Sequence, residues 1–166
     1  MIKLFTQEQQ KTIDEKVRLL TKIRDGTLSP KKLADMITQR GLDWLESNRP
    51  QLNRENITPE MAYKFMIYWH MKVEDGIKIS MNGRVLRVEA RNFCPYLEAS
   101  QLLEMDTRFV CKEIGEPSLR ALFQQMNPRL HFLRDYERIR PHHDCCLEFL
   151  KLGERQKCRK MLLLMH

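Results

Sequence analysis

The feature that most constrains the fold is a change of hydrophobic period at Ile77. From there Ile77, Ile79 and Met81 alternate with Lys78 and Ser80; Asn82-Gly83 follows; then Leu86, Val88 and Ala90 alternate with Arg87 and Glu89. Period two on both sides of an Asn-Gly dipeptide is a strong hairpin signal, because these two residues tolerate the positive φ of a tight turn. A turn centred on Asn82-Gly83 pairs Met81 with Arg84, Ile79 with Leu86 and Ile77 with Val88, so the apolar residues share one face.

The residues before this point read as helix. Thr6 suits an N-cap for a helix through Ile13, Val17 and Leu20, which Asp25-Gly26 ends. Ser29-Pro30 opens a second, with Leu33, Met36 and Ile37 on its apolar face; Gly41 interrupts it, and Leu42, Trp44 and Leu45 carry the apolar content to Asn48. Thr58-Pro59 opens a third, in which Ala62, Phe65, Met66 and Trp69 fall at i, i+3, i+4, i+7 and read as core. The same aromatic face suits a partner helix in a homodimer.

Beyond the hairpin, Pro95 opens a helix through Leu97, Ala99, Leu102 and Leu103, placing Cys94 at the N-cap. Asp106-Thr107 caps a helix carrying Phe109, Val110, Cys111 and Ile114, broken by Gly115-Glu116-Pro117-Ser118; Leu119, Leu122 and Phe123 carry another to Met126. Leu130, Phe132 and Arg134 look like a strand, residues 138–144 a polar connection, and residues 145–150 the return strand. In that strand Cys145, Leu147 and Phe149 face one way and Cys146, Glu148 and Leu150 the other. The fold class is α+β: an antiparallel sheet built from two hairpins, with helices packed on it, preceded by a helical N-terminal half (1–75) and followed through a cysteine-bearing region (76–166), the two forming one compact unit.

With 42% hydrophobic and 31% charged residues the chain is an ordinary globular protein. Its longest apolar run, Met161-Leu162-Leu163-Leu164-Met165, is far short of a membrane span, and no signal-peptide pattern opens the chain, so the expected compartment is the cytoplasm and no membrane partner is expected. There is no glycine-rich phosphate loop and no Gly-x-Ser-x-Gly elbow. The net charge of +7 raises the prospect of a nucleic-acid partner, yet basic and acidic residues are interleaved, and only residues 151–160 are locally basic.

Chemistry concentrates in the cysteines: Cys94, Cys111, Cys145, Cys146 and Cys158, an odd count with none in the first 93 residues. Cys94 sits where a strand hands over to a helix, and a helix N-terminus favours thiolate, the form that binds metal or attacks an electrophile. If Cys94, Cys111, Cys145 and Cys146 converge, they suit zinc or iron, including an iron–sulfur cluster, or line a pocket with one nucleophile. His142 and His143 are the candidate bases, with Asp144 to orient one of them.

The segments Asn92-Phe93-Cys94-Pro95-Tyr96-Leu97-Glu98-Ala99, Cys111, Met126-Asn127-Pro128-Arg129-Leu130, Arg138-Ile139-Arg140-Pro141 and Asp144-Cys145-Cys146-Leu147-Glu148-Phe149 resemble the L-2-amino-thiazoline-4-carboxylic acid hydrolase-like family. More distantly they resemble the small-molecule-binding domains named after vinyl reductase. The resemblance spans residues 76–152 and implies an α+β domain with a pocket lined by Cys94, Cys111 and one of Cys145 or Cys146. The reaction it implies is hydrolytic opening of a small cyclic amidine. The doubled Cys145-Cys146 and the helical N-terminal half depart from the family pattern.

Three functions follow. The first is a small-molecule- or metal-binding domain with a cysteine-lined site, Arg138 and Arg140 holding a carboxylate. The second is a C–N hydrolase with Cys94, or a metal-bound water, as nucleophile and His142 or His143 as base. The third is a basic nucleic-acid-binding regulatory module.

Overall fold

The computed structural model describes residues 4–48, 53–73 and 75–154. Cys158, most of the basic 151–160 stretch and the apolar run ending at Met165 lie outside the described residues.

Local chemistry starts the first three helices where expected. In α1 (Gln7–Arg24) the Thr6 hydroxyl accepts from the Gln9 N–H at 3.1 Å, and the Gln9 side chain accepts from the Thr6 N–H at 3.0 Å. This reciprocal pair satisfies two amides that the first turn leaves free. In α2 (Pro30–Asn48) the Ser29 hydroxyl accepts from the Lys32 N–H at 3.1 Å. Gly41 does not interrupt α2. It is buried there, and a Cβ at that position would lie 2.9 Å from Leu122, so the glycine lets another helix approach closely.

Thr58 caps α3 (Pro59–Lys64), which continues as a π turn over Phe65–His70, with the Met71 N–H bonded to the Met66 carbonyl. The wider turn keeps Met66 and Ile67 inward and carries Tyr68 and Trp69 off the inward stripe. Met66 is fully buried, but Trp69 is 71% exposed, against the helical-spacing expectation that it lies in the core.

The sheet comprises β1 (Ile77–Asn82), β2 (Val85–Ala90), β3 (Leu130–Arg134) and β4 (Cys146–Leu152) in the antiparallel order β1-β2-β4-β3. The two hairpins meet through β2 and β4. In the first hairpin Ile77 pairs with Ala90, Ile79 with Val88 and Met81 with Leu86, a slip of two from the expected register. The loop is Gly83-Arg84 rather than Asn82-Gly83: Gly83, at φ +58°, supplies the positive φ, and Asn82 stays in the strand opposite Val85. A slip of two preserves the faces, so the apolar pattern still points one way.

After β2 come α4 (Pro95–Leu102), α5 (Thr107–Val110) and α6 (Glu116–Met126). The expected break at Gly115-Glu116-Pro117-Ser118 does not occur. A π turn over Cys111–Gly115 joins α5 to α6, with the Glu116 N–H reaching the Cys111 carbonyl. Pro117 has no N–H to donate, and the widened turn ahead of it absorbs the missing bond without ending the helix.

One core cluster joins the N-terminal half to the sheet: Leu45, Ile57, Ala62, Tyr63 and Met66 pack with Leu86, Val88, Leu122, Phe123, Phe132 and Leu150. A second, formed by Leu20, Leu33, Ala99, Val110 and Ile114, sits among the helices.

The entry to β1 is the least forgiving backbone position. Gly76 has φ +74°, and a Cβ there would sit 2.6 Å from the Asn92 backbone nitrogen. Gly76→Ala is expected to lower unfolding stability by about 2 kcal/mol or more, read by urea denaturation. A loss well below about 1 kcal/mol would show that the two segments can separate.

Candidate functional site

The inner face of the sheet is apolar except at one end. Strand pairing sets Arg134 of β3 directly opposite Glu148 of β4, and Glu148 is also paired with Val88 of β2. Both charges point into the helix-covered side, with side chains 9% and 8% exposed. The Arg134 guanidinium donates to Glu148 Oε1 from Nε at 3.0 Å and from a terminal nitrogen at 2.5 Å. The Tyr63 hydroxyl of α3 donates to Glu148 Oε2 at 2.9 Å, and Arg134 lies 5.5 Å from the Phe132 ring centre.

Next to this pair, Glu116 at the start of α6 is buried and takes bonds from the Tyr136 hydroxyl and from Arg120. Burial pushes the Tyr63 phenol up, and the Glu148 carboxylate pushes it the same way. Burial alone would lower the Arg134 guanidinium, but Glu148 and its other neighbours outweigh it, and the net shift is upward.

Three thiols border this polar cluster. Cys94 is the N-cap of α4, Cys111 opens the π turn and Cys146 opens β4, paired with Ala90. Each is partly buried and free, and the three lie within electrostatic range of one another. Thiols from three segments distant along the chain therefore share one neighbourhood. Of the doubled pair it is Cys146 that belongs to it.

Burial decides the protonation of Cys94 and Cys111. Cys94 is raised by burial, although the Leu97 N–H, the Arg140 guanidinium and the Tyr96 N–H act the other way. The helix N-terminus was expected to favour thiolate there; desolvation of the sulfur outweighs it. Cys111 is pushed up to about 12 by burial, with Arg134 opposing.

Not every sequence candidate reaches this place. Cys145 lies one residue before β4, not within it, and its sulfur is 3.9 Å from His143 Nδ1. His142 is exposed, with Nε2 3.7 Å from Asp106, on the surface rather than beside Cys94. Arg138 is exposed and turned to its local neighbour Asp135 at 4.0 Å. Arg140 acts on one of the thiols: it donates to the Arg91 carbonyl at 3.1 Å, its charge acts on Cys94, and its Nε is buried without a partner. An adjacent pair such as His142-His143 cannot easily aim both rings inward, because the chain there lies at the surface.

Among the described residues no group of three or more His, Cys, Asp or Glu side chains is arranged to hold a metal ion. No described helix is long and apolar enough to cross a membrane. Comparison with protein-family models, curated proteins and solved structures finds no match for this chain.

Sequence reasoning missed Arg134, Glu148, Tyr63, Glu116 and Tyr136. The signal was present for two of them. Arg134 shares strand parity with Leu130 and Phe132, and Glu148 with Cys146 and Leu150, so opposite charges stand at inward positions of two strands of one hairpin. Tyr63, Glu116 and Tyr136 carried no such mark, since only packing brings them to the strands.

Two outcomes follow. Arg134→Met leaves Glu148 buried without its cation and is expected to cost about 3–5 kcal/mol, whereas Arg134→Met with Glu148→Leu restores most of that loss in chemical denaturation. Stability is also expected to fall as pH rises from about 9 towards 12, because the unfolded chain releases a Cys111 proton that the fold retains. Cys111→Ser, which has no such proton to lose, should make the decline shallower.

Proposed function

We propose that this chain is a small-molecule-binding domain whose ligand seats against Cys94, Cys111 and Cys146 and is oriented by Arg140. The observation that carries this reading is three thiols within electrostatic range of one another, with Arg140, whose buried Nε has no partner, acting on Cys94. Burial favours the neutral thiol at Cys94 and Cys111, and neutral sulfur is a soft, polarisable surface suited to a heterocycle. A guanidinium with donors to spare suits a carboxylate, which Arg pairs with two parallel bonds. The resemblance to the L-2-amino-thiazoline-4-carboxylic acid hydrolase-like family points to a small cyclic amidine bearing a carboxylate.

Binding is favoured over turnover. A cysteine nucleophile acts as thiolate, and burial holds Cys94 and Cys111 in the thiol form. His142, the first candidate base, is engaged with Asp106 on the surface. Holding zinc or iron would require the thiols both to shift and to lose protons.

Calorimetric titration with L-2-amino-thiazoline-4-carboxylic acid tests the reading. Saturable binding is expected, weakened about tenfold or more by Arg140→Gln, since a hydrogen bond to a charged group contributes roughly 1.5–3 kcal/mol. The ligand should be recovered unchanged by chromatography. Ring-opened product would replace binding by hydrolysis. Stoichiometric zinc uptake without ligand binding would move the site to the metal class, and failure to bind either would reject the proposal.

A further inference from the structure

Away from the thiols, α1, α2 and the Tyr96 ring enclose an open groove of about 480 Å³. This is within the range of small-molecule sites, roughly 300–1,000 Å³. Its floor is apolar: Leu33 is buried, and Val17, Ile37 and Tyr96 are only partly covered by the helical core cluster. On α1 the lining runs from Glu15 to Lys22, about two turns or roughly 10 Å of helix.

The rim has one dominant sign. Lys16, Arg18, Lys22 and Arg40 stand against a single carboxylate, Glu15. That carboxylate is held by Lys16 at 3.2 Å, and the Lys16 ammonium lies 5.3 Å from the Tyr96 ring centre. Arg18, Lys22 and Arg40 are exposed and have no carboxylate partner among the described residues. Three unpaired cations therefore border an apolar trough long enough for a short acyl chain or a fused ring. No cysteine lines the groove; it adjoins the thiol neighbourhood only at Tyr96, whose N–H acts on Cys94.

From this charge complementarity we infer that the α1–α2 groove binds an amphipathic organic anion, its apolar body on Val17, Leu33, Ile37 and Tyr96 and its acidic group among Arg18, Lys22 and Arg40. The apolar contact supplies area-proportional affinity, and the cations select the sign of the head group.

The test is a fluorescence titration of the full chain with 8-anilinonaphthalene-1-sulfonate, an aromatic anion that brightens in apolar sites. One equivalent is expected to bind, with affinity falling as salt is raised. Lys22→Glu combined with Arg40→Glu should weaken it about tenfold, two exposed charge reversals together amounting to roughly 1.4 kcal/mol. Trp69→Ala, in the separate concavity formed by Phe65, Tyr68 and Trp69, should leave the affinity unchanged. Monomeric decanoate should displace the dye, and decanol should do so much more weakly. The inference is overturned if the charge reversals and salt change nothing, if Trp69→Ala abolishes the signal, or if decanol competes as well as decanoate. Binding to phosphatidylglycerol vesicles without displacement by monomeric decanoate would also overturn it, in favour of a membrane surface. The salt series needs no variant, so a misfolded mutant would not leave the question open.

Discussion

Arg134 and Glu148 face each other across β3 and β4 on the side of the sheet that the helices cover. Removing two charges from water costs several kcal/mol for each ion, and attraction between them offsets this only when their remaining lone pairs and protons are satisfied. Here they are. Both Glu148 oxygens accept bonds, one from Arg134 and one from Tyr63, and the guanidinium lies against the Phe132 ring. The arrangement commits α3 to this end of the sheet, because Tyr63 must reach from the helix to the strand. A helix shifted by one turn would leave a carboxylate oxygen buried and unpaired.

The same constraint shapes the chemistry beside it. Arg134 is the cation closest in effect to Cys111, and Arg140 plays that part for Cys94, yet burial raises both thiols. Desolvation of a sulfur anion in a packed site exceeds what one guanidinium returns. Burial thus favours the neutral thiol at Cys94 and Cys111 in spite of the nearby cations. The π turn contributes to this placement. Cys111 begins it, and the widened ring of backbone bonds lets one helical path run on through Gly115 and Pro117 towards Met126 while presenting Cys111 to the strands.

Much of the architecture was legible because local chemistry and periodicity agreed. Thr6, Ser29, Thr58 and Asp106 cap where side-chain oxygens can reach free amides, and both hairpins follow from alternation with turn residues between. The errors share a cause. Gly41 and Gly115-Glu116-Pro117 read as breaks because propensity is a local quantity, whereas Leu122 packing on Gly41 and the π turn before Pro117 are properties of contacts and of a whole helical path. Trp69 was placed inside because the spacing rule assumes 3.6 residues per turn, which the π turn over Phe65–His70 does not keep.

For the site, the sequence by itself determined which residue types were available and which faces they shared. Cys146 and Glu148 belong to the inward parity of β4, Arg134 to that of β3, and Cys94 to the N-cap of α4, all through short-range geometry. Only the tertiary structure decided that Cys94, Cys111 and Cys146 come within electrostatic range of one another, and that Tyr63 completes the ion pair. Strand parity and capping are fixed within a few residues, where backbone sterics and hydrogen bonds act. Convergence of distant segments depends on how helices and sheet pack, and so does the burial that raises Cys94 and Cys111.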